Sequence, residues 1–166
     1  MRKKILAAVL VALTASAAAA QDLSGPFGGL YLRLDLAPYA ITRRIDGAAG
    51  GFAGYAERFG DHMVVGVEGD ITYDWRNTNL TPATRTVTGT ARLRAGVDTG
   101  PGALLYGTGG FGFETGGVGP VWELGAGFDI GLGQGRFLRT ELTRQAPFTA
   151  PSAPRTNAVV GIGLRF

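Results

Sequence analysis

The chain has no cysteine, and its 166 residues include a single histidine, His62. A disulfide framework, a thiol nucleophile and a clustered Cys/His metal site are therefore excluded. Lysine occurs only as Lys3 and Lys4, so every later cationic side chain except His62 is arginine. Serine is nearly as scarce, with Ser24 and Ser152 alone beyond residue 20. No apolar run after the N-terminus approaches the roughly 20 residues that a membrane-spanning helix needs. Long helices are also disfavoured, because many of the 28 glycines are scattered through the apolar segments.

What is present begins with "MRKKILAAVLVALTASAAAA". Arg2, Lys3 and Lys4 precede a short apolar stretch from Ile5 to Leu13, and Ala18-Ala19-Ala20 fits an A-x-A cleavage site. This is the pattern of a secretory signal peptide over residues 1–20, leaving residues 21–166, enough for one domain. The formal charge of +3 belongs to that leader, which holds three bases and no acid. Residues 21–166 carry 13 arginines against 13 acids, a net charge of zero, which gives no support for nucleic-acid binding.

The remainder divides into eight short segments with period-two alternation, the signature of strands with one apolar face. In "GLYLRLDLA", Leu30, Leu32, Leu34 and Leu36 oppose Tyr31, Arg33 and Asp35. "GGFAGYAERF" (50–59) has an ambiguous phase. "VVGVEGDITYDW" sets Val65, Val67, Ile71, Tyr73 and Trp75 against Glu68, Asp70 and Asp74. "VTGTARLRAGV" sets Val87, Leu93 and Val97 against Arg92 and Arg94, and "ALLYGTGGFGF" aligns Leu105, Phe111 and Phe113. "VWELGAGFDI" sets Trp122, Leu124 and Phe128 against Glu123 and Asp129, and "FLRTELT" sets Leu138 and Leu142 against Arg139 and Glu141. The chain ends on "NAVVGIGLRF", where Val160, Ile162, Leu164 and Phe166 share a face opposite Arg165. Tight connections ("FGDHM", "DTGPG", "GLGQG") alternate with longer ones (38–50, 76–86, 114–120, 144–156), as in an up-and-down antiparallel meander.

Alternation fits both a soluble barrel, greasy inside, and a membrane barrel, greasy outside. The polar faces decide between them. They hold Asp35, Glu68, Asp70, Glu123, Asp129 and Glu141, with Arg33, Arg92, Arg94, Arg139 and Arg165, interleaved with glycine and threonine. Small residues and arginine/carboxylate sets suit a narrow lumen, whereas a solvent face would carry lysine. The apolar faces read as free of charge, as lipid contact demands. Tyr73, Trp75, Phe111, Phe113 and Trp122 fall near the long-loop ends, and Phe59 and Phe166 near the other, which predicts two aromatic girdles. The fold class expected is therefore an all-β, eight-stranded, up-and-down antiparallel transmembrane β-barrel. A final strand without a tail is then explained by closure, since no strand edge can stay unpaired in lipid.

On "GVEGD" (66–70), "ARLRAG" (91–96), "LLYGTGGFGF" (104–113), "GAGFDI" (125–130) and the terminal Phe166, the chain resembles the small eight-stranded outer-membrane barrels of Gram-negative bacteria. The alphaproteobacterial OmpA-like surface antigens, often labelled "porin family", are the nearest-looking branch. The resemblance implies an outer-membrane location after export through the periplasm, and structural or surface roles without a catalytic residue. It also implies that Phe166, with Leu164 and Ile162, forms the signal read by the barrel-assembly machinery, although the family often has Tyr where Leu164 stands.

Other motifs lead nowhere. Gly107, Gly109 and Gly112 spell G-x-G-x-x-G, but "GTGGFGFETGG" cannot start the helix that a dinucleotide site requires. Asn79-Leu80-Thr81 is a chance sequon, and His62 stands in a turn with no serine beside it. Glu68 and Asp70 share a face, and arginines on the next strand make them ion-pair partners rather than an acid–base couple. The expectation is a non-enzymatic, monomeric barrel in contact with outer-membrane lipids, without cofactor or metal, its lumen plugged by the arginine/carboxylate network. The alternatives are a narrow channel for ions or small solutes, and a loop-mediated adhesin or receptor.

Overall fold

The computed structural model describes residues 23–36, 47–78, 81–100, 102–116, 118–149 and 154–166, for 76–78 and 81–84 the backbone alone. The expected signal peptide lies outside these residues, as does most of the first long connection. Eight strands follow in order: β1 (Gly25–Asp35), β2 (Gly47–Phe59), β3 (Met63–Thr78), β4 (Thr81–Gly100), β5 (Ala103–Glu114), β6 (Gly119–Gly133), β7 (Arg136–Pro147) and β8 (Arg155–Arg165). Each pairs antiparallel with its neighbours, and β8 returns to β1 to close the barrel. Pairing along that seam runs from Phe27↔Arg165 to Asp35↔Asn157, and the Phe166 N–H adds a bond to the Pro26 carbonyl at 3.0 Å.

The register fixes the shape. From Gly25 the pairs lead to Ala56, Gly66, Arg94, Thr108, Gly125, Thr143 and Asn157, then back to β1 at Asp35, ten residues beyond the start. Eight strands with this stagger tilt by about 35–45° and enclose a bore just wide enough for side chains to fill. The apolar faces point outward: Leu30, Leu93, Ile71 and Phe111 are all more than three-fifths exposed. The charged faces point inward.

Two expectations need correction. The connection expected at 76–86 is mostly ladder, because β3 runs to Thr78 and β4 starts at Thr81, with Trp75↔Arg85 and Arg76↔Thr84 paired. This stretch is polar apart from Leu80, Pro82 and Ala83, so it shows no apolar alternation. The outer wall is not free of charge either. Glu57, Arg85, Arg136 and Arg144 are exposed outward-facing residues, but all lie near strand ends, where long side chains reach the membrane surface.

The ambiguous phase of β2 resolves with Phe52 and Ala56 buried inside and Tyr55 and Phe59 outside. A pairing rule emerges with it. The inward aromatics Phe27, Tyr31, Phe52, Tyr106 and Phe137 stand directly across from Gly54, Gly50, Gly29, Gly127 and Gly163. Each ring lies over the glycine opposite, so a Cβ at Gly127 would come within 2.5 Å of the Tyr106 hydroxyl. These five strand glycines are thus space reserved for a cross-strand ring.

Candidate functional site: the charged lumen

The lumen is layered along its axis. Its centre is built on Arg92 of β4. That guanidinium meets Glu68 on β3, Glu123 on β6 at 2.8 Å and Glu141 on β7 at 2.8 Å. Glu68 is shared in turn by Arg139 of β7 at 2.7 Å and Arg94 at 3.4 Å. Asp129 binds Arg94 at 2.8 Å and Arg139 at 3.0 Å, and lies 3.6 Å from Arg165. Arg139 therefore joins β7 to β3 across the bore, and Arg92 joins β4 to β7. Planar guanidinium groups with five donors suit this sharing, which a lysine could not reproduce.

Neutral side chains complete the carboxylates. Tyr106 donates to Glu141 at 3.0 Å and Thr108 to the same carboxylate at 3.1 Å. Asp70 accepts from Tyr31 at 3.0 Å and from Thr90, and lies 3.4 Å from Arg92. The guanidinium faces rest on rings, Arg94 at 4.0 Å from the Tyr106 centre and Arg139 at 3.9 Å from that of Phe52.

Nearer the loop side, Arg33 makes a two-pronged contact with Asp74 at 3.0 Å and approaches Glu123 at 3.8 Å. Arg155 of β8 reaches across to Glu114 of β5. Asp35 is half-buried at this mouth and lines a void with Arg33, Asp74, Arg155 and Asn157. Thr86, Thr88 and Gln145 point polar side-chain atoms inward without a protein partner among the described residues. Buried groups of this kind bind water, so this mouth has the chemistry of a hydrated one. At the short-turn side the lumen holds an apolar cluster, with Leu23, Phe27, Val64, Leu104 and Phe137 each 1% exposed, and an Arg58–Asp98 pair at 3.1 Å stands at its rim.

The residues singled out from sequence fall into three groups. Arg33, Glu68, Asp70, Arg92, Arg94, Glu123, Asp129, Arg139 and Glu141 are buried in one connected network. Arg165 sits at its lower edge and Asp35 at its upper rim. Tyr73 and Trp75, with ring centres 6.4 Å apart, lie toward the loop side of the outer wall with Phe111, Phe113 and the half-buried Trp122. Phe59 and Phe166, 53% and 77% exposed, lie at the opposite end. Leu164 and Ile162 face outward on β8.

Sequence reasoning missed Asp74, Glu114, Arg155, Arg58 and Asp98 as ion-pair members, Phe148 as an exposed ring, and the inner aromatic layer apart from Tyr31. Asp74 already stood on the polar face with Asp70, and Phe27 continues the inward parity of Tyr31, two residues before the first segment read. His62 is exposed in the β2–β3 turn, and Gly107, Gly109 and Gly112 lie in β5.

Comparison with known proteins agrees with this geometry. Neisserial surface protein A has a similar structure, with a TM-score of 0.66 at 13% identity, covering 88% of this chain and all of that one. Ail, the attachment invasion locus protein of Yersinia pestis, superposes with a TM-score of 0.52 at 15% identity, covering 86% of this chain and 97% of Ail. No curated protein matches the sequence. The family model described as "Outer membrane protein beta-barrel domain" matches residues 5–166. The chain therefore belongs to the outer membrane protein beta-barrel family, and its eight strands cross the outer membrane.

Proposed function

We propose that this is a non-enzymatic outer-membrane barrel with a plugged lumen, serving a structural or surface role rather than transport. The observation that carries the reading is the set of bridges that cross the bore: Arg92 to Glu123 and Glu141, Arg139 to Glu68, and Arg155 to Glu114. The void at the loop-side mouth and the one among Arg33, Arg92, Arg139 and Glu141 measure about 10 Å³ each, room for a single water. Permeation needs a continuous column, and the interior of an eight-stranded barrel is the size that side chains fill.

Residues 1–20 act in this reading as the export signal. The barrel-assembly machinery then takes the chain by Ile162, Leu164 and Phe166, and outer-membrane lipids contact the apolar wall of a monomer. The test is vesicle swelling with ions and small sugars, together with N-terminal sequencing of the protein from outer-membrane fractions. Impermeable vesicles and a first residue of Gln21 are expected. Swelling at rates set by solute size would replace the plug with a channel.

A further inference from the structure

The short-turn end of the lumen is closed by a residue that belongs to no strand. Leu23 precedes β1, whose pairing begins at Gly25↔Ala56, yet Leu23 is 1% exposed and packs in the apolar cluster with Phe27, Val64, Leu104 and Phe137. Gly25 has φ +94°, a conformation that lets the chain leave the wall and turn into the bore. The Leu23 carbonyl accepts a hydrogen bond from Arg165 Nη1 at 2.5 Å. The same guanidinium stands 4.9 Å from the Phe137 ring centre and 3.6 Å from Asp129, so the penultimate residue of the chain ties its N-terminal segment to the ion-pair network.

We propose that Leu23 is a stopper, hinged at Gly25 and clamped by Arg165, that seals the lumen on the short-turn side and can leave without opening the barrel. The seam between β1 and β8 does not include it: that ladder starts at Phe27↔Arg165, and the Phe166 N–H bonds to Pro26. With the stopper out, the apolar cup around Leu104 and Val64 meets solvent from one side only. The carboxylate bridges above remain closed, which makes the seal double: charged at the centre, apolar at the base.

The absence of native cysteine makes the test direct. Leu104→Cys places the sole thiol in the cup, and Thr88→Cys places one in the loop-side half of the lumen, where Thr88 is 0% exposed. Each is refolded into phospholipid vesicles and treated with a small water-soluble thiol reagent, with and without Leu23→Asp or Arg165→Ala. Either change should raise labelling at position 104 by about tenfold or more, through local opening, and leave position 88 unchanged. Unchanged labelling at position 104 in both variants would overturn the stopper. Equal acceleration at both positions would also overturn it, because that reports loosening of the whole barrel. Folded yield is checked by heat-modifiable gel mobility, and Leu23→Ala supplies a milder variant if Leu23→Asp does not assemble.

Discussion

Arg92 illustrates how single residues carry this lumen. Its guanidinium serves carboxylates from three other strands, so removing it leaves Glu68, Glu123 and Glu141 with one fewer counter-charge in a buried site. Arg92→Ala should destabilise the folded barrel by about 3–5 kcal/mol where the orphaned charge stays dry, and by less where water reaches it. Glu68→Ala should have a comparable effect, because it strips a partner from Arg92, Arg94 and Arg139 together. The double variant should cost less than the sum of the two, which denaturant titration in vesicles measures as a coupling energy. At Gly163, an added methyl meets the Phe137 ring, and Gly163→Ala should cost about 1–3 kcal/mol by the same titration. The inward position of the central charges, Glu68, Asp70, Arg92, Arg94, Glu123, Asp129, Arg139 and Glu141, was legible from alternation, whereas Glu114 and Arg155 at the loop-side mouth were not. The partners of the central charges were not, since Arg139 finds Glu68 across the bore and sequence spacing carries no information about that encounter.

At the scale of the strand, the outer face and the last residue set the expectations. Leu93 is 66% exposed well inside β4, so Leu93→Arg should cost about 2–4 kcal/mol of folded stability, much as arginine does near the middle of a bilayer. Arg144, near the loop end of β7, is already tolerated because its head can reach the surface. Deleting Phe166 should lower the yield of heat-modifiable, protease-resistant barrel in membranes while leaving synthesis and export intact. An unchanged yield would remove any special role for the terminal ring. The eight strands and their phases were readable wherever one face must be apolar. At 76–86 they were not, because the β3–β4 hairpin continues as ladder through mostly polar residues that impose no period-two pattern. The phase of β2 was also undecided, because glycine on both faces hides it until the rings opposite are known.

For the molecule as a whole, the closed ladder, its ten-residue stagger and the layered lumen form one arrangement. The stagger brings Arg33, Arg92, Arg94 and Arg139, from three different strands, into reach of carboxylates on β3, β6 and β7. Register comes from many weak pairings summed around the barrel, which is why it could not be read from any one segment. The apolar base around Phe27 and Phe137 depends on it too, since each ring needs its glycine opposite. The central claim is that this arrangement blocks the bore, and single-channel recording of the purified protein in planar bilayers tests it most directly. The wild type should show no steady unitary currents, while Glu68→Ala or Arg92→Ala should introduce small ones in whatever fraction folds. Large, stable unitary currents from the wild-type protein would contradict the plug and establish a channel in its place.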